Sequence, residues 1–122
     1  MRGRLGLAGL IIGGSVAGLW SDERKVDYAR DVKPILEKYC YDCHGPKQQL
    51  SGLRLDRRQD VKEGGYSGQI IIPGDAEGSR IIRMIGGIDG MPMPIGDPKP
   101  SRAEVDVIRR WIDQGAVWPK EK

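Results

Sequence analysis

With 122 residues, the chain is long enough for one small domain and too short for two ordinary ones. It contains 18 Gly, no Phe and only 39% hydrophobic residues, so its own side chains supply little apolar surface for a core. We therefore expect a large cofactor to complete the core. The net charge of +3 falls to +1 from Ser21 onward, where 18 basic residues face 17 acidic ones, and this balance argues against a nucleic-acid partner.

The N-terminus combines a basic start at residues 1–4 with an uncharged apolar stretch at residues 5–20. This layout is typical of an export signal, and residues 15–17 offer the small side chains that a signal peptidase requires. The apolar stretch would span about 24 Å as a helix, against a hydrocarbon core of about 30 Å, so a membrane anchor is the alternative. In both cases we expect the domain that follows the linker at residues 21–27 to be exported and to work on the periplasmic side.

A helix that leads into the first cysteine is the first element predicted after the linker. Asp31 can cap it, and Pro34 falls in the first turn, where its missing N–H costs no hydrogen bond. The apolar side chains recur at helical spacing: Val32, Ile35, Leu36 and Tyr39. The helix therefore ends directly before Cys40.

The middle of the chain, residues 45–78, is rich in Gly, Pro and charged residues and has no sustained hydrophobic period. A loop of this length is unusual in a compact domain unless it wraps around something. We expect one helical turn at residues 60–63 and a short helix at residues 79–85, stopped by Gly86. Met84 lies in the apolar pattern of the second of these helices, and we predict that it belongs to the core.

The C-terminal part begins with a proline-rich segment, residues 90–100, whose four prolines forbid a regular helix and hold the backbone extended. The clearest helix follows, because Ser101 and Glu104 form a capping box, and we expect it to end near Gly115. Its apolar face comprises Val105, Ile108, Trp111 and Ile112. No stretch of the chain is strong enough to seed a sheet, so we predict an all-α fold.

The only two cysteines and the only histidine lie together in CYDCHG, residues 40–45. A redox-active disulfide fits poorly, because such pairs normally begin a helix after a strand. Zinc also fits poorly, because the chain has no fourth Cys or His and adjacent residues rarely reach one tetrahedral ion. A structural disulfide would close a tiny loop and stabilise little.

The pattern C-x-x-C-H is the attachment sequence of covalent haem, and we predict one haem c at this position. One helical turn separates Cys40 from Cys43, which would form two thioether bonds to the haem vinyl groups, and His44 would be the proximal iron ligand. The export segment supports this interpretation, because covalent attachment keeps the cofactor on an exported protein.

The second axial ligand cannot be histidine, because His44 is the only one. Methionine is the usual partner in electron carriers, and its thioether raises the reduction potential. The candidates are Met84, which we assign to the core, and Met91 and Met93, which lie in the proline-rich segment, where an extended backbone can hold a side chain toward a metal. A five-coordinate haem without a second ligand is the remaining alternative.

The order of these motifs resembles that of the planctomycete-type cytochrome c domains. The resemblance covers residues 28–119 and rests on DVKPILEKYCYDCHGP, GLRLD, a glycine pair, IPGD with a following serine, MPMP and RRWIDQGAVWP. In the family that the chain resembles, the distal ligand is the Met of an M-P-P segment shortly before the final helix. This implies Met93 as the distal ligand and leaves Met91 as the alternative, because Ile95 stands where a second proline is common.

The resemblance implies a cytochrome c fold, with crossed N- and C-terminal helices and long loops that enclose a covalent haem. We therefore expect an exported single-electron carrier or relay that exchanges electrons with redox partner proteins. No nucleophile–base pair or second histidine is available for bond-breaking chemistry, so we expect no enzymatic activity. The alternatives are a haem-based gas or redox sensor and a haem subunit of a larger membrane complex, attached through residues 5–20.

Overall fold

Helices are the main regular elements in the part of the chain that the computed structural model describes, residues 24–88, 90 and 92–120. A π-helix, Tyr28–Val32, runs into α1, Lys33–Tyr39, and is followed by a 3₁₀ turn at Leu50–Gly52, α2 at Arg58–Glu63, α3 at Arg80–Ile85 and α4 at Arg102–Asp113. The β-type pairings in these residues are isolated bridges, His44 with Gln49 and Gly65 with Gly68. The predicted all-α class is confirmed for this part of the chain.

Two of our predictions fall on residues outside the described ranges. The export signal or anchor at residues 1–20 is one of them, together with the first three residues of the linker at 21–27. The alternative distal ligand, Met91, is the other. Within the ranges that are described, no helix is long and apolar enough to cross a membrane.

The N-terminal helical segment begins three residues before the predicted start at Asp31, which corrects our assignment of the cap. Asp27 is the capping residue, because its carboxylate accepts a 2.8 Å hydrogen bond from the backbone N–H of Arg30. The carboxylate of Asp31 accepts a 2.8 Å hydrogen bond from the backbone N–H of Asp27. This second hydrogen bond stabilises the first turn of the segment. The extra turn buries Tyr28, whose aromatic ring extends the apolar face toward the N-terminus.

The last helix, α4, forms as predicted. Ser101 Oγ accepts from the backbone N–H of Glu104 at 3.1 Å, and Glu104 Oε1 accepts from the backbone N–H of Ser101 at 2.9 Å. The Tyr39 hydroxyl donates to the same carboxylate at 2.8 Å and so ties the end of α1 to the start of α4. These donors lower the pKa of Glu104. The helix terminates before Gly115, whose φ of +110° favours glycine.

The core forms where the π-helix contacts α4. The Tyr28 ring centroid lies 5.5 Å from that of Trp111 and 4.0 Å from that of Trp118, and the Trp111 indole N–H donates to the carbonyl of Val117 at 2.9 Å. Trp118 is half-buried at the edge of this group. The buried hydrophobic residues are Val26, Tyr28, Val32, Ile35, Leu36, Leu53, Leu55, Val61, Ile70, Ala76, Ile81, Ile82, Ile108, Trp111 and Ile112.

The loop that contains IPGD is bonded to the end of α4. The backbone N–H of Gly74 donates to the carbonyl of Ile112 at 2.7 Å, and that of Ala76 donates to Asp113 Oδ1 at 2.9 Å. Ser79 is fully buried just before α3. Its hydroxyl accepts a hydrogen bond from the Ile72 N–H at 2.8 Å, which stabilises the same loop. The IPGD motif and the W-I-D motif at the end of α4 therefore contact each other.

The two short helices differ in detail from their predicted positions. The turn expected at residues 60–63 begins two residues earlier, at Arg58, and α3 begins at Arg80. Met84 is only half-buried and is not part of the core, so our prediction for this residue is wrong. A helix of six residues has a narrow buried face, and Ile81 and Ile82 fill it in α3.

Candidate haem site

The C-x-x-C-H motif forms a turn at the end of α1. The carbonyl of Leu36 accepts both the Cys40 N–H at 2.8 Å and the Tyr41 N–H at 3.0 Å, so the helix loosens at its last residue. The carbonyl of Cys40 then accepts from the backbone N–H of Cys43 at 3.2 Å and from that of His44 at 2.9 Å. One compact turn therefore carries both predicted thioether residues and the predicted proximal ligand.

Both cysteines are free thiols in this structure. Cys40 is half-buried and packs against the core, whereas Cys43 is exposed. Burial, and to a smaller extent the neighbouring Cys43, raises the pKa of Cys40 to about 11. Redox-active cysteines have lowered pKa values instead, so the environment of Cys40 is unlike that of a catalytic disulfide. In the described ranges, no three side chains of His, Cys, Asp or Glu gather where they could hold a metal ion.

The orientation of His44 is set by the segment GLRLD, which lies beside the motif. His44 Nδ1 lies 3.3 Å from the carbonyl oxygen of Leu53, and the backbone N–H of Leu55 donates to the carbonyl of His44 at 2.8 Å. A carbonyl can only accept, so this contact favours the tautomer with the proton on Nδ1. The lone pair of Nε2 is then available for iron, which is the arrangement that a haem ligand requires.

Sequence reasoning missed the role of Leu53. The GLRLD segment has an alternating pattern, and the structure buries Leu53 and Leu55 while Arg54 pairs with Asp56 at 2.6 Å. That alternation indicates a short extended stretch with one buried face. Nothing in the pattern shows that the carbonyl between the buried side chains faces a histidine nine residues earlier.

Gly45 is required where the motif turns back on itself. A Cβ at this position would lie 2.4 Å from the carbonyl oxygen of Tyr41, a backbone atom that cannot give way without moving the motif. We expect Gly45→Ala to lower the free energy of unfolding by about 1–3 kcal/mol through overpacking, measured by urea denaturation followed by circular dichroism. The yield of haem-loaded protein should fall with it.

The matched control for this substitution is Gly86→Ala. A Cβ at Gly86 meets its nearest atom at 3.5 Å, which is ordinary contact, and its φ of −81° suits alanine. We expect this variant to be as stable as the wild type or more stable, by up to about 1 kcal/mol. Equal stability of the two variants would contradict the steric role of Gly45.

Met93 is held beside the end of α3. Its backbone N–H donates to the carbonyl of Met84 at 3.0 Å, and its side chain is half-buried. Pro92 folds onto Gly87, because a Cβ at that glycine would lie 3.0 Å from Pro92 Cγ. No hydrogen bond within the described ranges joins this segment to residues 40–45. The pairing of Met93 with His44 across one iron therefore stays a prediction.

Exposed apolar side chains lie next to the C-x-x-C-H motif and close to Met93 in sequence. Leu50 is bonded to the motif, since its N–H donates to the carbonyl of Cys43 at 2.9 Å, yet 48% of its surface is exposed. Ile88 and Ile95 flank the Met93 segment in sequence and are 67% and 68% exposed. Leu50 therefore offers an exposed apolar side chain next to the motif. The two cysteines, the oriented imidazole and this side chain fit covalent haem.

Residues 40–97 match the model of the family described as Planctomycete cytochrome C. This part of the chain is similar to planctomycete-type cytochrome c domains. A cytochrome c domain carries covalently bound haem c, and the matched range contains the whole C-x-x-C-H motif and Met93. No curated protein and no solved structure matches the chain.

The described part of the chain also has a cleft of about 630 Å³ that none of the predicted haem residues lines. Its walls come from the start of the π-helix, from α2 and from the C-terminal segment after α4. They include Tyr28, Lys33, Asp56, Arg57, Arg58, Gln59, Asp60, Glu63, Trp118, Pro119 and Lys120. The predicted haem site therefore rests on the donor chemistry of residues 40–44 and not on the size of this cleft.

Proposed function

We propose that this cytochrome c domain is a single-electron carrier or relay with one covalent haem c and no enzymatic activity. The chain offers one attachment site, because it has two cysteines and one histidine. In this proposal Cys40 and Cys43 form the thioethers, His44 is the proximal ligand and Met93 is the distal ligand. Bound haem c stores one electron by changing between ferric and ferrous iron.

The observation that carries the proposal is the 3.3 Å contact between His44 Nδ1 and the Leu53 carbonyl. A histidine that binds a metal usually donates its other ring N–H to a carbonyl or carboxylate, which fixes the ring and raises its basicity. The contact supports the role of His44 because it orients the ring before any iron is bound. The fixed turn from Cys40 to His44 then places both thiols in the same segment of chain.

The finer features of the fold belong to the same proposal. We infer that the N-terminal segment, Tyr28–Tyr39, and α4 are the crossed helices of a cytochrome c fold and that the domain extends over residues 28–119. The contact between the Tyr28 and Trp111 rings and the bond from Tyr39 to Glu104 support this inference. The loops between the two helices would then surround the haem.

Export completes the proposed function. The basic start and apolar stretch at residues 1–20 have the layout of an export signal or an N-terminal anchor. Covalent haem attachment is consistent with a periplasmic domain that meets redox partner proteins. A mass measurement of protein purified from its native membrane would report both the attached haem and any cleavage of these residues.

Three alanine variants test the distal ligand. We expect Met93→Ala to abolish the weak charge-transfer band of methionine-ligated ferric haem and to lower the reduction potential, because the thioether favours ferrous iron. Met91→Ala and Met84→Ala are the matched controls and should keep the band. Loss of the band in Met91→Ala alone would assign the ligand to Met91, and its absence from the wild type would contradict methionine ligation.

Carbon monoxide distinguishes the carrier from the sensor. A six-coordinate haem binds carbon monoxide slowly or not at all, because the methionine must leave first, whereas a gas sensor keeps an open position. We expect the reduced wild-type protein to keep its absorption spectrum under carbon monoxide and Met93→Ala to change it rapidly. Rapid binding by the wild type would favour the sensor alternative.

A further inference from the structure

A second cleft, of about 330 Å³, lies where the segment before the π-helix meets α4. Its lining is mostly cationic, with two apolar side chains and one carboxylate among the charges. The lining residues are Arg24, Lys25, Val26, Arg30, Asp31, Val107 and Arg110. None of the proposed haem residues lines this cleft.

The charge of this cleft is strongly positive. Four cationic side chains face one carboxylate, so the lining carries 4 − 1 = +3. Asp31 is already engaged, because its carboxylate pairs with the guanidinium of Arg30 at 2.8 Å, which holds the pKa of Asp31 at about 2. Arg24 and Lys25 make no side-chain hydrogen bond or ion pair within the described ranges. Arg24 and Lys25 are therefore left without a counterion among the described residues, whereas Arg30 pairs with Asp31 and Arg110 lies within ion-pair distance of Asp106.

Arg110 provides an independent indication of a ligand. Its Nε is the buried side-chain polar atom that lacks a hydrogen-bond partner among the described residues. The closest carboxylate oxygen, Oδ2 of Asp106, lies 3.6 Å away, which is too far for a hydrogen bond. The guanidinium therefore has only a long ion pair with Asp106, and its buried Nε–H, which is costly to leave without an acceptor, favours an anionic ligand in this cleft.

The walls of the cleft are held in place by one side chain. Gln114, just after α4, accepts the backbone N–H of Val26 at 2.8 Å through Oε1 and donates to the carbonyl of Arg24 at 2.9 Å through Nε2. The backbone of the N-terminal segment is therefore fixed against α4 before any ligand binds, and a fixed site loses less entropy on binding.

We propose that this cleft binds an oxyanion of the phosphate class, with Arg110 as its main ligand residue and Arg24 and Lys25 as supporting cations. A guanidinium matches the geometry of phosphate oxygens through parallel N–H groups, and an oxyanion would supply the acceptor that Arg110 Nε lacks. Free phosphate and the headgroup of an anionic lipid share this chemistry. The proposal is independent of the proposed function, because the cleft shares no residue with the haem site.

Titration of the haem-loaded full chain with inorganic phosphate tests the site. Calorimetry is done at constant ionic strength, balanced with sodium chloride, so that general screening is the same throughout. We expect saturable binding by the wild type and a rise in its melting temperature with phosphate. Arg110→Gln should weaken binding by about tenfold or more, as expected for the loss of charge-assisted hydrogen bonds.

Two further variants keep the test decisive. Arg109→Gln removes the same charge from the next residue of α4, outside the cleft lining, and should leave the dissociation constant unchanged. Lys25→Gln changes an exposed side chain of the lining and should weaken binding without affecting folding in chloride alone. Absence of saturable phosphate binding, or unchanged binding in both Arg110→Gln and Lys25→Gln, would overturn the proposal.

Vesicle binding separates the two sources of the oxyanion. The same proteins are sedimented with phosphatidylglycerol vesicles and, as the neutral control, with phosphatidylcholine vesicles. Selective binding to the anionic vesicles that falls with Arg110→Gln and with added free phosphate would identify the lipid headgroup. Saturable binding of free phosphate without such vesicle binding would identify a soluble oxyanion, and both results support the site.

Discussion

His44→Ala is expected to abolish the low-spin haem spectrum and electron transfer, because the chain has no second histidine to take the proximal position. The structure gives the physical reason, since His44 Nδ1 is turned toward the Leu53 carbonyl and leaves Nε2 for iron. Absorption spectra of the oxidised and reduced protein, with the mass of the purified chain, measure ligation and covalent haem together.

Added imidazole distinguishes ligation from a structural role of His44. Free imidazole supplies the same donor atom, so it should restore part of the low-spin spectrum in haem-loaded His44→Ala, while a merely structural defect would not respond. Gln48→Ala, an exposed position in the same turn, is the matched control and should keep the wild-type spectrum. An unchanged spectrum in His44→Ala would remove His44 from the iron.

Trp111→Ala should have the largest effect on stability. The side chain is 2% exposed, contacts the rings of Tyr28 and Trp118, and donates its N–H to the Val117 carbonyl at 2.9 Å. We expect the free energy of unfolding to fall by about 3–5 kcal/mol, since the change removes a large buried ring and leaves a cavity. This is a large share of the roughly 5–15 kcal/mol that stabilises an ordinary domain.

Thermal and urea unfolding of two further variants test whether this loss of stability comes from the buried ring of Trp111. Tyr66→Ala removes an aromatic ring that is 89% exposed and should change stability by less than about 0.5 kcal/mol. Trp111→Phe keeps an aromatic ring but removes the indole N–H, so its loss should lie between those of the two alanine variants. Similar stability of Trp111→Ala and Tyr66→Ala would contradict the central position of Trp111 in the core.

Local signals predicted the elements whose determinants lie within a few residues of one another. The capping box of α4 involves Ser101 and Glu104, and it forms as expected. Asp27 and Asp31 lie four residues apart and are equally good capping residues by type, so local sequence did not decide between them. The packing of Tyr28 on α4 selects the earlier start, and that contact joins distant parts of the chain.

Contacts between distant residues explain what the sequence did not show at the site. The motif itself predicts Cys40, Cys43 and His44 as the haem-binding residues, because their spacing is the signal. The Leu53 carbonyl is a backbone atom, and the identity of its residue carries no information about which ring it meets. Met84 was assigned to the core from hydrophobic pattern alone, and a six-residue helix is too short for the pattern to distinguish its faces.

The bonds of Gln114 hold the segment before the π-helix beside the end of α4, because this side chain contacts backbone groups of Arg24 and Val26, some ninety positions earlier. The polypeptide therefore enters and leaves the domain at neighbouring points. Such a unit can be placed in tandem or inserted in a loop of another protein without separating its two ends. The haem motif lies between these points in sequence, so a neighbouring module can be attached without interrupting it.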